Sequence, residues 1–356
     1  MNDITVNPPI PLWSEKYRPQ KFEAVVGRND VVSKLQNFSA TKEFPHLIFA
    51  GPPGAGKMTL ARIFASEVLQ HDFDFNFQEL YAGDRLTDEE RKEADRTSYI
   101  STNRLGSSAG SKFTFQKFLQ VRVKPFVEMK AVGSAPFKIL VIKDFELLEN
   151  QQQGFRRLME SYSQNCRFFL ISSQLSNIIE PILSRCQIVF VPRLDYKDFF
   201  KILKTVGDQE RIKFGIPVAQ ALYRALNGQV GRALDILQVA SKESPTITED
   251  SVYEVFHQFA PSQIRTMLQH AFRGDLKRMR DTLRAVVKDQ GLSMRDIFQE
   301  IFAEISMQPL PRFAKVEVLS LLSDLDNQAV YHRVEEVQIC NLLAQLYKYA
   351  QGRAKE

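Results

Sequence analysis

Cysteine is scarce in this chain, with three residues in 356, and there is a single tryptophan. Cys166, Cys186 and Cys340 lie far apart and have none of the short spacings that hold zinc, which excludes a disulfide scaffold or a zinc module and fits a reducing compartment. No apolar run approaches the ~18 residues of a membrane span. Residues 1–9 lack the charged and then apolar pattern of a secretion signal. We expect an intracellular protein with no membrane partner and no structural metal.

The chain also lacks a strong charge of either sign. Lys and Arg number 47 against 42 Asp and Glu, so the formal net charge is +5, which permits a polyanionic partner without requiring one. Hydrophobic residues make up 44% of the chain, an ordinary share for a protein with a sizeable core. The length predicts two or three domains.

One glycine-rich segment carries most of the chemical information. It consists of Gly51, Pro52, Pro53, Gly54, Ala55, Gly56, Lys57, Met58 and Thr59. A short apolar run at 47–49 precedes it, and a helical pattern at 57–69 follows, with Leu60, Ile63, Phe64 and Val68 on one face. A strand, a loop and a helix in this order predict a phosphate-binding loop, whose N–H groups surround phosphates and whose lysine reaches the β and γ oxygens. The alternative is a chance Gly/Pro turn.

The position after the loop lysine departs from this pattern. A Ser or Thr there gives its hydroxyl to Mg²⁺, but this chain has Met58, and a thioether is a poor ligand for a hard cation. Thr59 carries a hydroxyl one residue later, where helical geometry turns it roughly 100° away. The sequence therefore predicts binding of ATP or ADP, with Mg²⁺ and hydrolysis in doubt.

Short apolar runs alternate with helical patterns up to about residue 191, as in a parallel α/β sheet. The predicted strands are 47–49, 77–81, 138–142, 166–172 and 186–190. Beyond residue 195 the strand signals end and amphipathic helical patterns continue. We predict an α/β nucleotide-binding domain at 1–193, a small helical bundle at 194–243 and a second all-helical domain at 248–356.

Several motifs occur together in one order. They are WSEKYRP at 13–19, the phosphate loop, FRRLME at 155–160 and IEPILSRC at 179–186. Together they resemble the small subunits of replication factor C, the AAA+ clamp loader of archaea and eukaryotes, nearly from end to end. Residues 337–344 are also similar to the last helix of that family.

The resemblance implies an AAA+ core, a helical lid formed by the bundle at 194–243, and a C-terminal helical collar that assembles a five-subunit ring. It implies ATP or ADP as ligand, and as partners the other subunits of a hetero-pentameric ring, the sliding clamp and primer–template DNA. The implied location is the cytoplasm of an archaeon or the nucleus of a eukaryote.

The acidic motif that should follow the third strand is altered. Where the family has Asp-Glu-Ala-Asp, this chain has Lys143-Asp144-Phe145-Glu146. The resemblance puts Lys143 in the place of the metal-side Asp, and Asp144 in the place of the Glu that activates water, one methylene shorter. A cation repels the metal, and a shortened acid misplaces the water. A register shift of one would put Asp144 in the metal role, but Phe145 would then follow it, so either alignment damages the site.

Two further elements of the family's ATPase site are changed. The polar sensor on the fourth strand, usually Asn, lies within Ser172-Ser173-Gln174. The lid arginine falls on Gly231, and Arg232, one residue further round the helix, is interpreted as a surface residue. These changes predict a nucleotide-binding subunit with weak or absent hydrolysis of its own.

Arg185, within Ser-Arg-Cys, matches the family's arginine finger, which points at the ATP of the neighbouring subunit and stabilises charge on the γ-phosphate. The alternative is a plain surface arginine. The residues that line the adenine in the family are matched here by Tyr17, Arg18, Pro19, Val25 and Val26. A flat apolar slot of this kind suits a purine. The alternative for these is an ordered arm without a ligand.

The resemblance also predicts a DNA-facing helix at about 115–129. Lys117 and Lys124 lie seven residues apart on one face of a regular helix, with Arg122 close by, and such a row would follow phosphates without reading bases. Pro125 should kink or end the helix. The alternative is a solvated basic face.

Two weaker predictions concern the insert and the clamp. Phe73 lies near the edge at which the family docks on the sliding clamp, or it simply packs. The insert at about 91–111 is similar to a longer loop in the eukaryotic clamp-loader subunit that does not hydrolyse ATP. Two rival functions stay open, a fully active clamp-loader ATPase subunit and a structural or adaptor AAA+ protein with no clamp role.

Overall fold

The computed structural model describes residues 11–84, 87–90, 92, 118–259 and 262–290, together with positions 297, 301, 302, 320, 340, 341, 343–345, 347 and 348. The chain divides into two compact units, Met1–Glu249 and Asp250–Glu356. The predicted insert at 91–111, apart from position 92, lies outside the described residues, as do Lys117 and half of the segment 337–344. Among the helices that are described, none combines the length and the apolar composition needed to cross a membrane.

The α/β part of the first unit alternates strands and helices. Its elements are α1 (Trp13–Lys16), α2 (Asn29–Thr41), β1 (His46–Ala50), α3 (Lys57–Leu69), α4 (Phe73–Asn76), β2 (Phe77–Tyr81), α5 (Lys124–Glu128), β3 (Lys138–Lys143), α6 (Gln152–Ser161), β4 (Cys166–Ser172), α7 (Glu180–Leu183) and β5 (Cys186–Phe190). The rest of the unit contains α8 (Tyr196–Gln209), β6 (Lys213–Phe214), α9 (Ile216–Leu226), α10 (Val230–Ala240) and β7 (Thr246–Ile247). The second unit is helical where it is described, with α11 (Glu249–Phe259), α12 (Ser262–Arg273) and α13 (Leu276–Gln290).

The first five strands form one parallel sheet in the order β2-β3-β4-β1-β5. In the register, Leu47 of β1 lies opposite Phe169 of β4 on one side and Gln187 of β5 on the other. The predicted parallel α/β core is confirmed, and each predicted strand is present to within one residue at either end. The three central strands are apolar along almost their whole length because helices cover both faces of a parallel sheet.

Phenylalanine rings fill the core on one face of this sheet. Phe44 packs against Phe64 with ring centroids 4.9 Å apart and meets Phe137 edge-on at 5.3 Å. Phe64 stacks on Phe169 of β4 at 5.5 Å. These contacts fix α3 against the sheet, and they thereby position the loop that joins β1 to α3.

The expectation that strands end at residue 195 is wrong at two places. Lys213 and Phe214 form β6, which pairs in parallel with β7 at Thr246 and Ile247. Strands of two residues carry too little periodicity to be recognised in a sequence. They form here because α8 to α10 bring two distant segments side by side.

The helix around Pro125 continues past the proline. A π turn at Leu119–Val123 leads directly into α5, in which Pro125 is the second residue. Proline lacks an N–H, and its ring clashes with the carbonyl four residues earlier. The π turn is wider than an α turn and displaces that carbonyl. The proline is therefore accommodated by a π turn, and the helix ends only after Glu128.

His46 is a buried titratable group of the core. It is 7% exposed in β1, its Nδ1 accepts a hydrogen bond from the Phe168 N–H, and its ring packs edge-on against Phe168. Burial, together with the charge of Arg167, lowers the pKa of His46 from 6.5 to about 4. The folded protein therefore holds the imidazole neutral.

We expect this histidine to make the fold acid-sensitive. Between pH about 6.5 and about 4 the unfolded chain binds the proton and the folded chain does not, so stability is complete above pH 6.5 and falls as the pH drops. The expected loss between pH 7 and pH 5 is about 2 kcal/mol. Urea unfolding of the wild type and of His46→Gln at both pH values measures it. If both proteins lose the same stability, His46 is not the group responsible.

Candidate functional site

The glycine-rich loop lies at the carboxyl end of β1 and leads into α3 at Lys57. Gly51 has φ +150°, and a Cβ there would lie 2.1 Å from the Val191 carbonyl oxygen. Gly56 caps α3 in the left-handed conformation, with φ +84°. Both positions therefore require glycine. The first turn of α3 has no side-chain cap, so its N–H groups are available to an anionic ligand.

Lys57 is the cation of this loop. It is 6% exposed, and its Nζ donates hydrogen bonds to the carbonyls of Gly51 at 2.6 Å and Pro52 at 2.9 Å and to Ser173 Oγ at 3.3 Å. Burial lowers the pKa of this ammonium, while Glu146 and Asp144 raise it. The amine is thus held on the loop, beside the end of β4.

A cavity of about 790 Å³ opens over the loop, a size that suits a small-molecule ligand. Of the predicted nucleotide-binding residues, Tyr17, Arg18, Pro19, Val25, Val26, Pro53, Gly54, Ala55, Gly56, Lys57, Met58 and Thr59 line it. Gly51 and Pro52 do not line it and instead accept the hydrogen bonds of Lys57. The structure therefore brings the arm around Tyr17 and the glycine-rich loop, which are separate segments of the sequence, to one cavity.

The helices of the predicted lid close the cavity on its apolar side. Ile202 and Val206 of α8 and Leu234 of α10 line it together with the N-terminal arm around Tyr17. The Tyr17 hydroxyl donates a hydrogen bond to Glu210, which also forms an ion pair with Lys16 at 2.6 Å. An apolar slot of this kind has the character that a purine ring needs.

Main-chain hydrogen bonds fasten the same arm to α10. The N–H of Trp13 donates to Gln238 Oε1 at 2.9 Å, and the N–H of Ser14 donates to Asp235 Oδ1 at 3.0 Å. Trp13 and Gln238 are both buried, so the first of these bonds is shielded from water. The arm and the lid are thereby joined on one side of the cavity.

The residues at the metal positions do not fit Mg²⁺. Met58 lines the cavity and also packs against the apolar core, and Thr59, the next residue, lines the cavity too. Within the described residues, no three His, Cys, Asp or Glu side chains are grouped so that they could hold a metal ion. A thioether, an ammonium and one nearby carboxylate are a poor donor set for a cation that prefers six oxygen ligands.

Lys143 lies at the end of β3 and lines the cavity, but its charge is shared with a neighbour. Its Nζ lies 2.9 Å from Glu79 Oε2 of β2, whose other oxygen pairs with Arg62 at 2.8 Å. Sequence reasoning missed this ion pair because Glu79 lies on another strand. The pair reduces the repulsion that Lys143 exerts on a metal, without supplying a ligand.

Asp144 and Glu146 face Lys57. Asp144 adopts the left-handed conformation with φ +49°, and burial, with Glu146 next, raises the pKa of its carboxyl. Glu146 accepts a hydrogen bond from the Ser173 N–H at 2.8 Å, while its Oε2 is buried and has no hydrogen-bond partner in the described ranges. Asp144 lines the cavity, and Glu146 is not among the lining residues.

The start of α10 lines the cavity as well. Gly231 and Arg232 are both among the lining residues, and the Arg232 side chain is exposed. Arg232 is thus a surface residue at the rim of the cavity. A Cβ built on Gly231 would meet only the Ser14 Cβ, at 3.5 Å, an ordinary contact that leaves room for a side chain.

Arg185 lies outside this cavity, between α7 and β5. Its Nη1 donates to the Pro181 carbonyl at 2.7 Å, and its Nη2 lies 2.6 Å from Glu160 Oε1 at the end of α6. The side chain is 36% exposed. The arginine is therefore presented at the surface by a carboxylate from the FRRLME segment.

The predicted DNA-binding residues have different surroundings. Lys124 is exposed as the first residue of α5, and Lys117 lies outside the described residues. Arg122 pairs with Glu90 at 2.8 Å and Asp84 at 3.1 Å, and it lowers the pKa of Glu90 to about 2. The prediction that both lysines share one face assumed a regular α-helix. A π turn lies between positions 117 and 124, so that spacing rule does not apply here.

The aromatic residue exposed near the start of β2 is Phe75. Its side chain is 67% exposed, whereas Phe73 stacks on Phe77 at 4.4 Å with the Arg62 guanidinium 5.7 Å from its ring. The packing reading of Phe73 thus describes the structure better than the docking reading. Neither side chain could be placed from the sequence, because α4 is a single turn and has no clear periodicity.

Sequence reasoning missed one charged lining residue altogether. Arg28 lines the cavity beside Gly56 and is 9% exposed. It directly follows Gly27, and Val25 and Val26 just before that glycine were predicted to line the adenine. The signal available in the sequence was a charged residue two positions after the predicted adenine-lining pair Val25 and Val26.

Two protein-family models match the chain, one in each compact unit. The chain matches the model for the DNA polymerase III delta subunit over residues 27–195, and the model for the replication factor C C-terminal domain over residues 259–345.

Individual relatives match over nearly the whole chain. A replication factor C small subunit of Methanococcus maripaludis is 32% identical over 94% of this chain and 98% of its own length. The small subunit of Thermofilum pendens is 31% identical over 97% of this chain and 98% of its own length. Among solved structures, the RuvB Holliday junction branch migration motor of Thermotoga maritima covers 80% of this chain and 85% of its own, with 14% identity and a TM-score of 0.48.

Proposed function

Because the chain belongs to the replication factor C small-subunit family of AAA+ clamp-loader proteins, we propose that it works as one subunit of a hetero-oligomeric ring that loads a sliding clamp onto primer–template DNA. In this role it binds ATP or ADP, hydrolyses it slowly or not at all, and supplies Arg185 to a neighbouring site. The observation that carries the proposal is a phosphate loop with its glycines and lysine in place, next to unsuitable metal positions in one cavity.

Nucleotide binding is supported by the donor set of the cavity. Lys57, the loop glycines and the first turn of α3 supply positive charge and N–H donors for phosphates. Tyr17, Val25 and Val26, opposite the lid helices, provide the apolar slot for the base. The bound nucleotide would therefore bridge the α/β part and the lid.

Slow hydrolysis is supported by the chemistry of three side chains. Met58 gives no hydroxyl to Mg²⁺, Lys143 stands where the family has an acid, and Asp144 is shorter than the usual Glu. When bound, the metal neutralises charge on the β- and γ-phosphates. Without its ligands that contribution is weakened, although the nucleotide can still be held by Lys57 and the loop.

The arginine finger role is supported by the exposure of Arg185 and by its ion pair with Glu160. A guanidinium that is to reach another subunit must stand at the surface, and its orientation must be limited before the neighbour docks. The hydrogen bond to Pro181 and the pair with Glu160 limit it in this way. Arg185 does not line the cavity proposed for the nucleotide of this subunit, so the finger serves in trans.

DNA contact is proposed for Lys124, together with Lys117 and Arg122. Lys124 is exposed and can contact a phosphate directly. Arg122 must either break its ion pairs with Asp84 and Glu90 or contact the phosphate while both acids remain bound to it. Contacts of this kind are independent of base sequence and depend on salt.

We expect Lys124→Ala to weaken binding of the assembled ring to primed DNA equally for all sequences. Loss of one phosphate contact should reduce the slope of log affinity against log salt by roughly 0.9. Fluorescence anisotropy over a salt series measures the slope. Arg122→Ala is expected to change the slope less, because the Arg122 charge is already paired. An unchanged slope for Lys124→Ala would show that Lys124 is a solvated surface residue and not a DNA contact.

Contact with the sliding clamp is proposed for Phe75 at the end of α4. An exposed ring beside a packed one resembles the anchor of a hydrophobic contact, which contributes most when it enters a pocket of the partner. Phe73 serves as a matched control, because its ring is already stacked on Phe77.

The whole proposal is tested by co-expression with clamp-loader partner subunits, followed by clamp and primed-DNA retention and an ATPase assay. Incorporation into the ring, with clamp retention reduced by Phe75→Ala, is the expected result. Incorporation without any clamp or DNA retention would favour an adaptor protein. Turnover by the isolated chain within the ~1–10³ s⁻¹ typical of enzymes, abolished by Lys57→Ala, would instead identify an active ATPase subunit.

A further inference from the structure

Arg28 is a buried guanidinium beside the phosphate loop with no acidic partner among the described residues. It is 9% exposed, at the N-terminal end of α2, and its Nη2 donates to the Pro192 carbonyl at 3.3 Å. Its Nε is buried and finds no hydrogen-bond partner among the residues that the structure describes. Burial alone accounts for the lowered pKa of this group. A buried charge without a counter-ion is costly, so its presence calls for an anion.

The guanidinium lies over the part of the loop that handles phosphates. Arg28 Nη1 lies 3.3 Å from the position that a Cβ would take at Gly56. Gly56 caps α3 and immediately precedes Lys57, so Arg28 lies close to the N-terminus of α3 in the same cavity. Basic side chains also outnumber acidic ones among the lining residues, five to two. The surroundings of Arg28 are therefore suited to a polyanion.

We propose that Arg28 binds the phosphates of the nucleotide directly, and that it thereby lets this subunit hold ADP or ATP without a divalent metal. The inference rests on the proposed nucleotide-binding function and deepens it. A guanidinium has five N–H donors in a planar fork that matches two phosphate oxygens, and one of its donors is already fixed by Pro192.

Arg28 also accounts for how the altered metal positions are tolerated. Met58 and Lys143 provide no ligands for Mg²⁺, yet the negative charge of the nucleotide must be compensated inside a half-enclosed cavity. Lys57 supplies one positive charge, and Arg28, beside Gly56, supplies a second. The subunit then acts as a nucleotide holder whose affinity does not depend on Mg²⁺.

Calorimetry of the isolated full-length chain tests the inference, with ADP and adenosine as probes, each in EDTA and in Mg²⁺. We expect the wild type to bind ADP with similar affinity in both buffers, and at least about tenfold more tightly than adenosine, as one charged hydrogen bond would provide. Arg28→Gln should lower ADP affinity in EDTA by about 10- to 100-fold and leave adenosine affinity unchanged. Arg28→Lys, which keeps the charge but loses the fork, should fall between them.

Lys34→Gln is the matched control. Lys34, on α2, also donates to a main-chain carbonyl, that of Ile188, but it does not line the cavity. Its substitution removes one positive charge and one hydrogen bond and should leave ADP affinity unchanged. Thermal unfolding without nucleotide checks that each variant is folded, and the comparison of ADP with adenosine on the wild type in EDTA needs no variant.

Three results would overturn the inference. They are loss of wild-type ADP binding in EDTA, equal ADP affinity of Arg28→Gln and the wild type, and an equal loss of adenosine and ADP affinity in that variant. The first two leave the proposed nucleotide-binding function standing, because binding with Mg²⁺ persists. A wild type that binds neither probe in either buffer would contradict both proposals.

Discussion

Arg185→Ala is expected to abolish hydrolysis at one site of the assembled ring while the subunit that carries the substitution keeps its own nucleotide. A trans arginine contributes ~10³–10⁵ in rate at the site it serves, because it neutralises charge that spreads over the γ-phosphate oxygens during transfer. Arg185 lies outside the nucleotide cavity of its own chain and is held at the surface by Glu160. Total turnover should therefore fall in part, by the share of the affected site, and clamp loading should fall further if the sites act in sequence.

The measurement is ATP turnover and clamp loading by the full complex with primed DNA, after assembly has been verified for each variant. Arg193→Ala is a suitable control, since Arg193 is an exposed arginine just beyond β5 that does not line the cavity. Glu160→Gln should give a smaller loss than Arg185→Ala, because it frees the guanidinium without removing it. An assembled Arg185→Ala ring that turns over and loads at the wild-type rate would exclude the finger role.

The second large effect concerns the metal positions. We expect Met58→Thr alone to leave hydrolysis near the wild-type level, because Lys143 still lies where an acid should bind the metal. Restoring both positions, with Met58→Thr and Lys143→Asp, should raise turnover, and adding Asp144→Glu should raise it again. Recovery of metal stabilisation is worth several kcal/mol, on the order of 10²–10³-fold in rate.

Steady-state turnover of the assembled ring, with Arg185 of this chain unchanged, measures this gain. Lys57→Ala in the restored background should remove it, and Met58→Leu, which changes the side chain without adding a hydroxyl, should give none. Loss of Lys143 leaves Glu79 with Arg62 as its ion-pair partner, so β2 and β3 should stay joined. Rescue by Met58→Thr alone would indicate that the ion pair with Glu79 already neutralises Lys143.

Residues that are close in the sequence were predicted well. The strands of the sheet and the helix that begins at Lys57 were recognised because a buried parallel strand is an unbroken apolar run and an amphipathic helix repeats every 3.6 residues. The missed β6 and β7 carry neither signal. Likewise, the prediction that Pro125 would kink or end the helix assumed a regular α-helix. The π turn before Pro125 accommodates the proline, and the local sequence contains no signal that predicts a π turn.

What the sequence determined by itself is the family, the parallel α/β core and the chemical identity of the nucleotide loop, including the absence of a hydroxyl at Met58. These depend on patterns within a few residues, where backbone geometry dictates the arrangement. The tertiary structure alone decided the partners of the charged groups. It joins Lys143 to Glu79, Arg185 to Glu160 and Arg122 to Asp84 and Glu90. Within the part of the chain that the structure describes, Arg28 has no acidic partner beside Gly56. The physical reason is that the energy of a charge depends on its burial and on its neighbours in space, and folding brings those neighbours from distant parts of the chain.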